Sequence, residues 1–349
     1  VSTPTPGTAT PVAVLPNHRF DEGRLAAYLS ERLPGFATPC RISQFQGGQS
    51  NPTFHLATPN GSYVLRKQPP GVLLPSAHAV DREFMVMRAL YGTAVPVPRM
   101  LLLCTDTAVI GQMFYVMQYV YGRVFTEASL PQVPAAERAA IYASMNETLA
   151  ALHRIDPAGA GLGGFGRPQG FLTRQIARWS RQYAAAQLPQ CVAMEHLMQW
   201  LAAQDPGADE VAIHHGDFRL GNLMIHPSEP RVIAVLDWEL STLGHPLSDL
   251  AYTCLVYHGS VFAPGGPLRS GNGVPAEVDF VADYCRRTGR APIERWPYYL
   301  AFSLFRAAAI LAGVYRRALD GNAADAHALE RGGAYREVAE LGWSLVRRA

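Results

Sequence analysis

The chain contains a single lysine, Lys67, and charged side chains make up only 17% of its 349 residues. Its positive charge is carried by arginine, and acids nearly balance it. The formal net charge of +2 leaves no general pull toward nucleic acid. Cysteine is scarce too. The five present (Cys40, Cys104, Cys191, Cys254, Cys285) are scattered and odd in number, which gives no zinc spacing and suggests reduced thiols in a cytoplasm. No uninterrupted apolar run approaches the ~20 residues needed to span a bilayer. The nearest, Tyr298 to Tyr315, is broken by Arg306 and reads as a buried helix. There is no internal repeat. The first 17 residues hold four prolines and no basic stretch, the pattern of a mobile tail rather than of a secretory signal. These absences lead us to expect a cytoplasmic protein with neither a membrane nor a nucleic acid as partner.

What is present is most informative between Ile213 and Glu239. Five positions separate Asp217 from Asn222, and fifteen separate Asn222 from Asp237. Two apolar runs, Leu223 to Ile225 and Val232 to Leu236, flank a turn with Pro227 and Pro230 and read as a hairpin. A hairpin brings its ends together, so Asn222 at the entry and Asp237 at the exit can share one cation. Transfer of the terminal phosphoryl group of ATP requires a protein to hold Mg²⁺ against the phosphates, orient a hydroxyl and neutralise developing charge. Asp237 is a hard anionic ligand of the kind Mg²⁺ prefers, and Asn222 adds a neutral oxygen. Asp217 is placed to accept the hydroxyl proton, and Arg219 to stabilise charge on the transferring group. Taken singly, such Asp and Asn residues are usually turn formers. The joint spacing, with an apolar strand on each side, favours the phosphoryl-transfer reading.

These residues resemble the aminoglycoside phosphotransferase family, the small-molecule branch of the protein-kinase-like fold. HGDFRLGN is similar to its catalytic loop, and LDWE to the kinase Asp-Phe-Gly. FQGGQSNPTF, YVLRKQPPG, VDREF, VPVPRML, MQYVYGRVF, GHPLSDLAY and FRAAAILAGVYRRA further resemble the kinase-like domain fused ahead of some acyl-CoA dehydrogenases, over roughly residues 35 to 320. Nothing resembles the dehydrogenase half, and no flavin is expected.

The resemblance implies a bilobal α+β fold, with an antiparallel sheet in the N-terminal lobe and a mostly helical C-terminal lobe. It implies ATP and Mg²⁺ as cofactors. The tip Gln46 to Asn51 has glycines that let backbone N–H groups approach phosphate, with Gly48, Ser50 and Asn51 on the phosphate side; alone, such a Gly-Gly turn is more often just a turn. Arg66 falls where kinases place the lysine for the α and β phosphates. Lys67 is adjacent, and strand side chains alternate, so only one of the two can face the nucleotide. Arg66 is preferred because the resembled subgroup also tends to have Arg there. Glu83 lies about 60° from Val80 on the flank of a helical apolar stripe and would pair with Arg66. Backbone groups of Gln118, Tyr119 and Val120 would face adenine. His215 and Asp249 read as structural supports of the catalytic loop.

The expected division is a tail over 1–17, a nucleotide-binding lobe over 18–117, a hinge over 118–122 and a catalytic and substrate lobe over 123–349, with helices over Ala135 to Ile155 and Trp296 to Leu319. The acceptor is the least legible part. Residues 123–349 hold 21 Arg against 22 Asp plus Glu, no acidic excess of the kind a polycationic aminoglycoside would select. Arg174, Arg178 and Arg181 share a helical face beside Trp179, which favours an anionic small molecule, for instance a hydroxyacyl-CoA, although such a face is as commonly only solvated. Aminoglycoside, choline and homoserine acceptors stay open, as does a non-catalytic nucleotide-binding pseudokinase.

Overall fold

The computed structural model describes residues 11–45, 51–71, 78–263, 265–321 and 327–347. Along the chain run α1 (Glu22–Arg32), β1 (Arg41–Gln44), β2 (Thr53–Thr58), β3 (Gly61–Lys67), α2 (Val80–Leu90), β4 (Met100–Cys104), β5 (Phe114–Gln118) and β6 (Arg123–Val124). Next come α3 (Ala135–Arg154), α4 (Phe171–Ala185), α5 (Val192–Ala203), β7 (Ala212–His214), β8 (Leu223–Ile225), β9 (Val232–Val235) and β10 (Thr242–Gly244). The chain ends with α6 (Pro246–Cys254), α7 (Glu277–Thr288), α8 (Trp296–Leu319), α9 (Ala328–Gly333) and α10 (Tyr335–Val346).

The chain divides into two compact units. The first holds residues up to Thr126 together with Ala160–Leu162 and Gly221–Ser241, and the second holds Glu127–Gly159, Gly163–Leu220 and Thr242 onward. The hairpin with Asn222 and Asp237 thus packs with the N-terminal strands, whereas the sequence-based boundaries place it in the C-terminal lobe.

In the first unit a five-stranded antiparallel sheet has the order β1-β2-β3-β5-β4. Strand parity gives it two faces. Phe54, Leu65 and Val116 stand opposite one another on one face and pack against Leu25, Leu29 and Leu33 of the α1 region. Helix α1 starts at Asp21, whose carboxylate caps the Arg24 N–H at 2.8 Å. On the other face Thr53, Arg66 and Tyr115 are in register. Helix α2 buries Val80, Glu83, Val86, Met87 and Leu90. A second sheet, β6-β8-β9, contains the expected hairpin, with Leu223 opposite Val235. Gly122 is needed where β8 passes, because a Cβ there would lie 2.4 Å from Met224 Cγ and 2.7 Å from the Ile225 carbonyl oxygen.

The expected tail is corrected where it is described. Val12 and Gln44 exchange two backbone hydrogen bonds of 2.8 Å, and the Leu15 N–H donates to Gln44 Oε1 at 3.1 Å. Val12 and Leu15 are therefore tied to Gln44 at the end of β1, which satisfies backbone groups a loose tail would leave to water.

The second unit is mostly helical, with a two-stranded sheet of β7 and β10. Helix α8 is long and apolar enough to cross a membrane by length and composition, and 78% of its apolar window is buried within the chain, as in the core helix of a folded domain. Helices α3 and α8 fall over the ranges the apolar periodicity predicts.

Candidate functional site

Strand β3 ends in two cations whose fates differ. Arg66 Nε makes an ion pair with Glu83 Oε2 at 3.0 Å, and Nη2 meets Asp237 Oδ1 at 2.7 Å and Glu239 Oε2 at 3.8 Å. Side-chain exposure rises along this series, from 1% at Glu83 through 12% at Arg66 to 36% at Asp237, so the group opens toward solvent at the aspartate end. Glu83 also accepts from Tyr115 Oη (3.0 Å) and Asn51 Nδ2 (2.8 Å). Burial lifts its carboxyl to about 7, while Arg66 pulls the other way. Burial opposes the charge on Arg66, but Glu83 foremost, with Tyr115, Asp237 and Glu239, holds it above its ordinary value. Lys67 points to the opposite face, is 1% exposed and donates to Gln112 Oε1 at 3.0 Å, with Nζ 5.8 Å from the Phe20 ring. Burial lowers its pKa. Of the two candidates it is Arg66 that pairs with Glu83.

The glycine tip is flanked as expected by antiparallel β1 and β2, but Gly48 and Ser50 lie outside the described residues. Asn51 departs from its expected role as a phosphate-side donor. It is fully buried, its amide donates to Glu83, and its Oδ1 meets His78 Nδ1 at 3.1 Å. A buried amide must be satisfied by the protein itself, and here it helps fix the partner of Arg66.

The hairpin acts on Asn222 and Asp237 as its geometry requires. The Leu236 N–H donates to the Asn222 carbonyl at 2.9 Å, which sets the two ends side by side. Asp237 has φ of 64°, a left-handed conformation that Asp tolerates better than most residues at a cost of roughly 1–2 kcal/mol. The following turn holds it there: buried Trp238 donates Nε1–H to the Val235 carbonyl (2.9 Å) and accepts the Ser241 N–H (3.0 Å). The partly exposed Asp237 carboxylate and the Asn222 amide, at adjoining ends of the hairpin, are oxygen donors of the kind that would suit Mg²⁺, which takes one or two protein oxygens and fills its octahedron with phosphate and water. Among the described residues no cluster of three His, Cys, Asp or Glu could hold a metal by itself, so a cation here would depend on such outside ligands.

In the second unit, the loop carrying Asp217 is tied down through its backbone. Buried Asp249 accepts the N–H groups of His215 (2.6 Å) and Gly216 (3.0 Å) and lies 3.3 Å from His153 Nε2. Burial pushes the Asp249 carboxyl up, but His214 and His153 outweigh it and hold the group well below the usual carboxylate range. His215 Nδ1 accepts the Asp217 N–H at 3.2 Å, a structural role as the sequence suggests. Arg306 donates to the Gly216 carbonyl at 2.9 Å, and Thr253 to that of Phe218 at 2.8 Å. Arg219 Nε lies 3.1 Å from Asp217 Oδ2.

At the expected hinge, the Gln118 N–H already donates to the Arg99 carbonyl (2.9 Å), so this group is committed to the sheet edge. The half-buried Tyr119 ring lies 4.9 Å from that of His55, and Val120 is half-buried. On α4, Arg178 and Arg181 are exposed, Trp179 is buried beneath Arg178, and Arg174 reaches back to the Arg167 carbonyl. Sequence reasoning passed over Tyr115, Thr253, Arg306 and Tyr252. Only the strand register marks Tyr115 as facing Arg66, and the i, i+3, i+4 spacing of Asp249, Tyr252 and Thr253 was the signal available for α6.

The model of the phosphotransferase enzyme family matches residues 41–292. The chain belongs to the phosphotransferase enzyme family. Acyl-CoA dehydrogenase family member 11 of Rattus norvegicus is 45% identical over 98% of this chain, which spans 45% of that relative's length. A crystal structure from Ralstonia eutropha, provisionally named an aminoglycoside phosphotransferase, is 46% identical, covers 95% of this chain and 99% of its own, and superposes with a TM-score of 0.86. A thermostable aminoglycoside phosphotransferase variant in ternary complex with AMP-PNP and hygromycin B covers 93% of this chain and 99% of its own, with a TM-score of 0.62 at 16% identity. That distant likeness shows the fold, which this phosphotransferase shares: α+β and protein-kinase-like.

Proposed function

We propose that this phosphotransferase moves the γ-phosphoryl group of ATP to a hydroxyl of an anionic small molecule, for which a hydroxyacyl-CoA is the leading candidate. The observation that carries the reading is the bridge from Glu83 through Arg66 to Asp237, a cation fixed by a buried carboxylate and presented beside a partly exposed one. In this reading Arg66 binds the α and β phosphates, Asn222 and Asp237 hold Mg²⁺, and Gly48 and Ser50 approach the phosphates. Tyr119 and Val120 lie along adenine. Mg²⁺ when bound supplies charge neutralisation on the phosphates. Asp217 accepts the hydroxyl proton, and Arg219 turns from Asp217 toward the transferring group.

Two features support an anionic acceptor. Residues 123–349 hold 21 Arg against 22 Asp plus Glu, close to balance, and α4 keeps Arg178 and Arg181 exposed. The resemblance to proteins named as acyl-CoA dehydrogenase family members directs attention to CoA esters. The test is incubation with γ-labelled ATP, Mg²⁺ and a panel of hydroxy compounds that includes hydroxyacyl-CoA esters, aminoglycosides, choline and homoserine, with products identified by mass. Labelled CoA ester is expected, and loss of at least ~10³-fold in turnover with Asp217→Asn. Efficient labelling of aminoglycosides with none of the CoA esters overturns the acceptor assignment.

A further inference from the structure

We infer that Tyr252 is a positioning residue that locks the carboxylate of Asp217 through its hydroxyl. The inference rests on the reading of Asp217 as the base. Helix α6 turns Asp249, Tyr252 and Thr253 to the Asp217 loop from successive turns. Asp249 takes the N–H groups of His215 and Gly216, and Thr253 bonds the Phe218 carbonyl, so the backbone on both sides of Asp217 is fixed. Those bonds act on the backbone and not on the side-chain torsions of Asp217. The Tyr252 hydroxyl hydrogen-bonds the carboxylate itself. Its ring is set from behind by Arg306, whose guanidinium carbon lies 5.3 Å from the ring centroid and whose Nη2 bonds the Gly216 carbonyl at 2.9 Å.

The direction of the bond follows from the chemistry. Burial first, and the charge of Asp217 second, push the Tyr252 phenol well above its ordinary pKa, so it keeps its proton and donates while Asp217 accepts. A second donor to this carboxylate, Arg219, has a side chain that is 50% exposed and sits on the same loop. Tyr252 is anchored on a helix instead. A base must sit within hydrogen-bond reach of the proton it takes, and a short side chain held at one oxygen by a fixed phenol keeps the other oxygen in a constant place.

The experiment is Tyr252→Phe in the full chain, alone and combined with Asp217→Asn, read as phosphate released from γ-labelled Mg-ATP with water as acceptor. We expect kcat to fall roughly tenfold with the KM for ATP within about twofold. In the Asp217→Asn background the same change should alter residual turnover less than about twofold, because groups acting as a unit are not additive. A crystal structure of Tyr252→Phe should show the Asp217 carboxylate displaced or split between rotamers. Equal losses in both backgrounds, a changed KM at constant kcat, or an unmoved carboxylate overturns the inference. If Asp217→Asn abolishes turnover and Tyr252→Phe does nothing, the proposed function stands and this inference alone fails. If Asp217→Asn changes nothing, the proposed function fails with it.

Discussion

Arg66 and Asp249 are both buried charges with several partners, yet they are held in opposite ways. Arg66 joins side chain to side chain, bridging Glu83, Asp237 and Glu239, and one end of that bridge opens to solvent. Asp249 joins side chain to backbone, gripping two consecutive N–H groups, and is fully buried. An ion pair with one exposed carboxylate can exchange its cation for another at modest cost. A carboxylate spent on backbone donors cannot let go without unfolding the loop. The first group is built for substitution of partners, the second for permanence.

Asp249→Asn should give the largest effect, since it removes the charge that both amides address. We expect a loss of roughly 2–4 kcal/mol in urea unfolding, and an unchanged stability would break the contrast. Next is acid. Burial lowers His214 and His245 to about 4 from an ordinary 6.5. Their folded pKa values lie below the unfolded ones, so the stability they contribute is complete above pH 6.5 and is lost as pH falls from there to about 4. Each contributes at most about 3 kcal/mol, and His214→Asn should flatten the decline of the urea midpoint over that window. Arg66→Lys follows. An ammonium lacks the fork that spans Glu83 and Asp237, so the KM for Mg-ATP should rise roughly tenfold, about 1.4 kcal/mol, with a smaller change in stability. Lys67→Met should have the smallest effect, with turnover within about twofold of the parent and stability within ~1 kcal/mol, because it trades a buried ammonium for an isosteric apolar chain. A large rise in KM for Lys67→Met would reverse the assignment of the two faces of β3.

Local features were legible in the chain because they repeat at short range. The hairpin between Asn222 and Asp237, helices α3 and α8, and the inward lean of Glu83 all follow from apolar periodicity and turn residues. Asn51 was harder to read. A polar residue close to two glycines suggests a ligand donor, but its partners His78, just before α2, and Glu83, on α2, lie 27 and 32 residues further on. Tyr252 was passed over because a tyrosine in an apolar helical stripe looks like core until the loop it faces is in place.

The sequence by itself determined the oxygen-bearing residues and their spacing, the strand ends that bring Asn222 and Asp237 together, and the rule that Arg66 and Lys67 must face apart. Tertiary structure decided which way that rule resolves. Alternation along a strand has a period but no phase. The phase was set when α1 covered the face of Leu65, which buried Lys67 beside Phe20 and left Arg66 to the carboxylates. The same holds for Asp249. Only packing of α6 against the Asp217 loop could give that carboxylate its two backbone donors, because a buried charge takes its role from whatever donors reach it once water is gone.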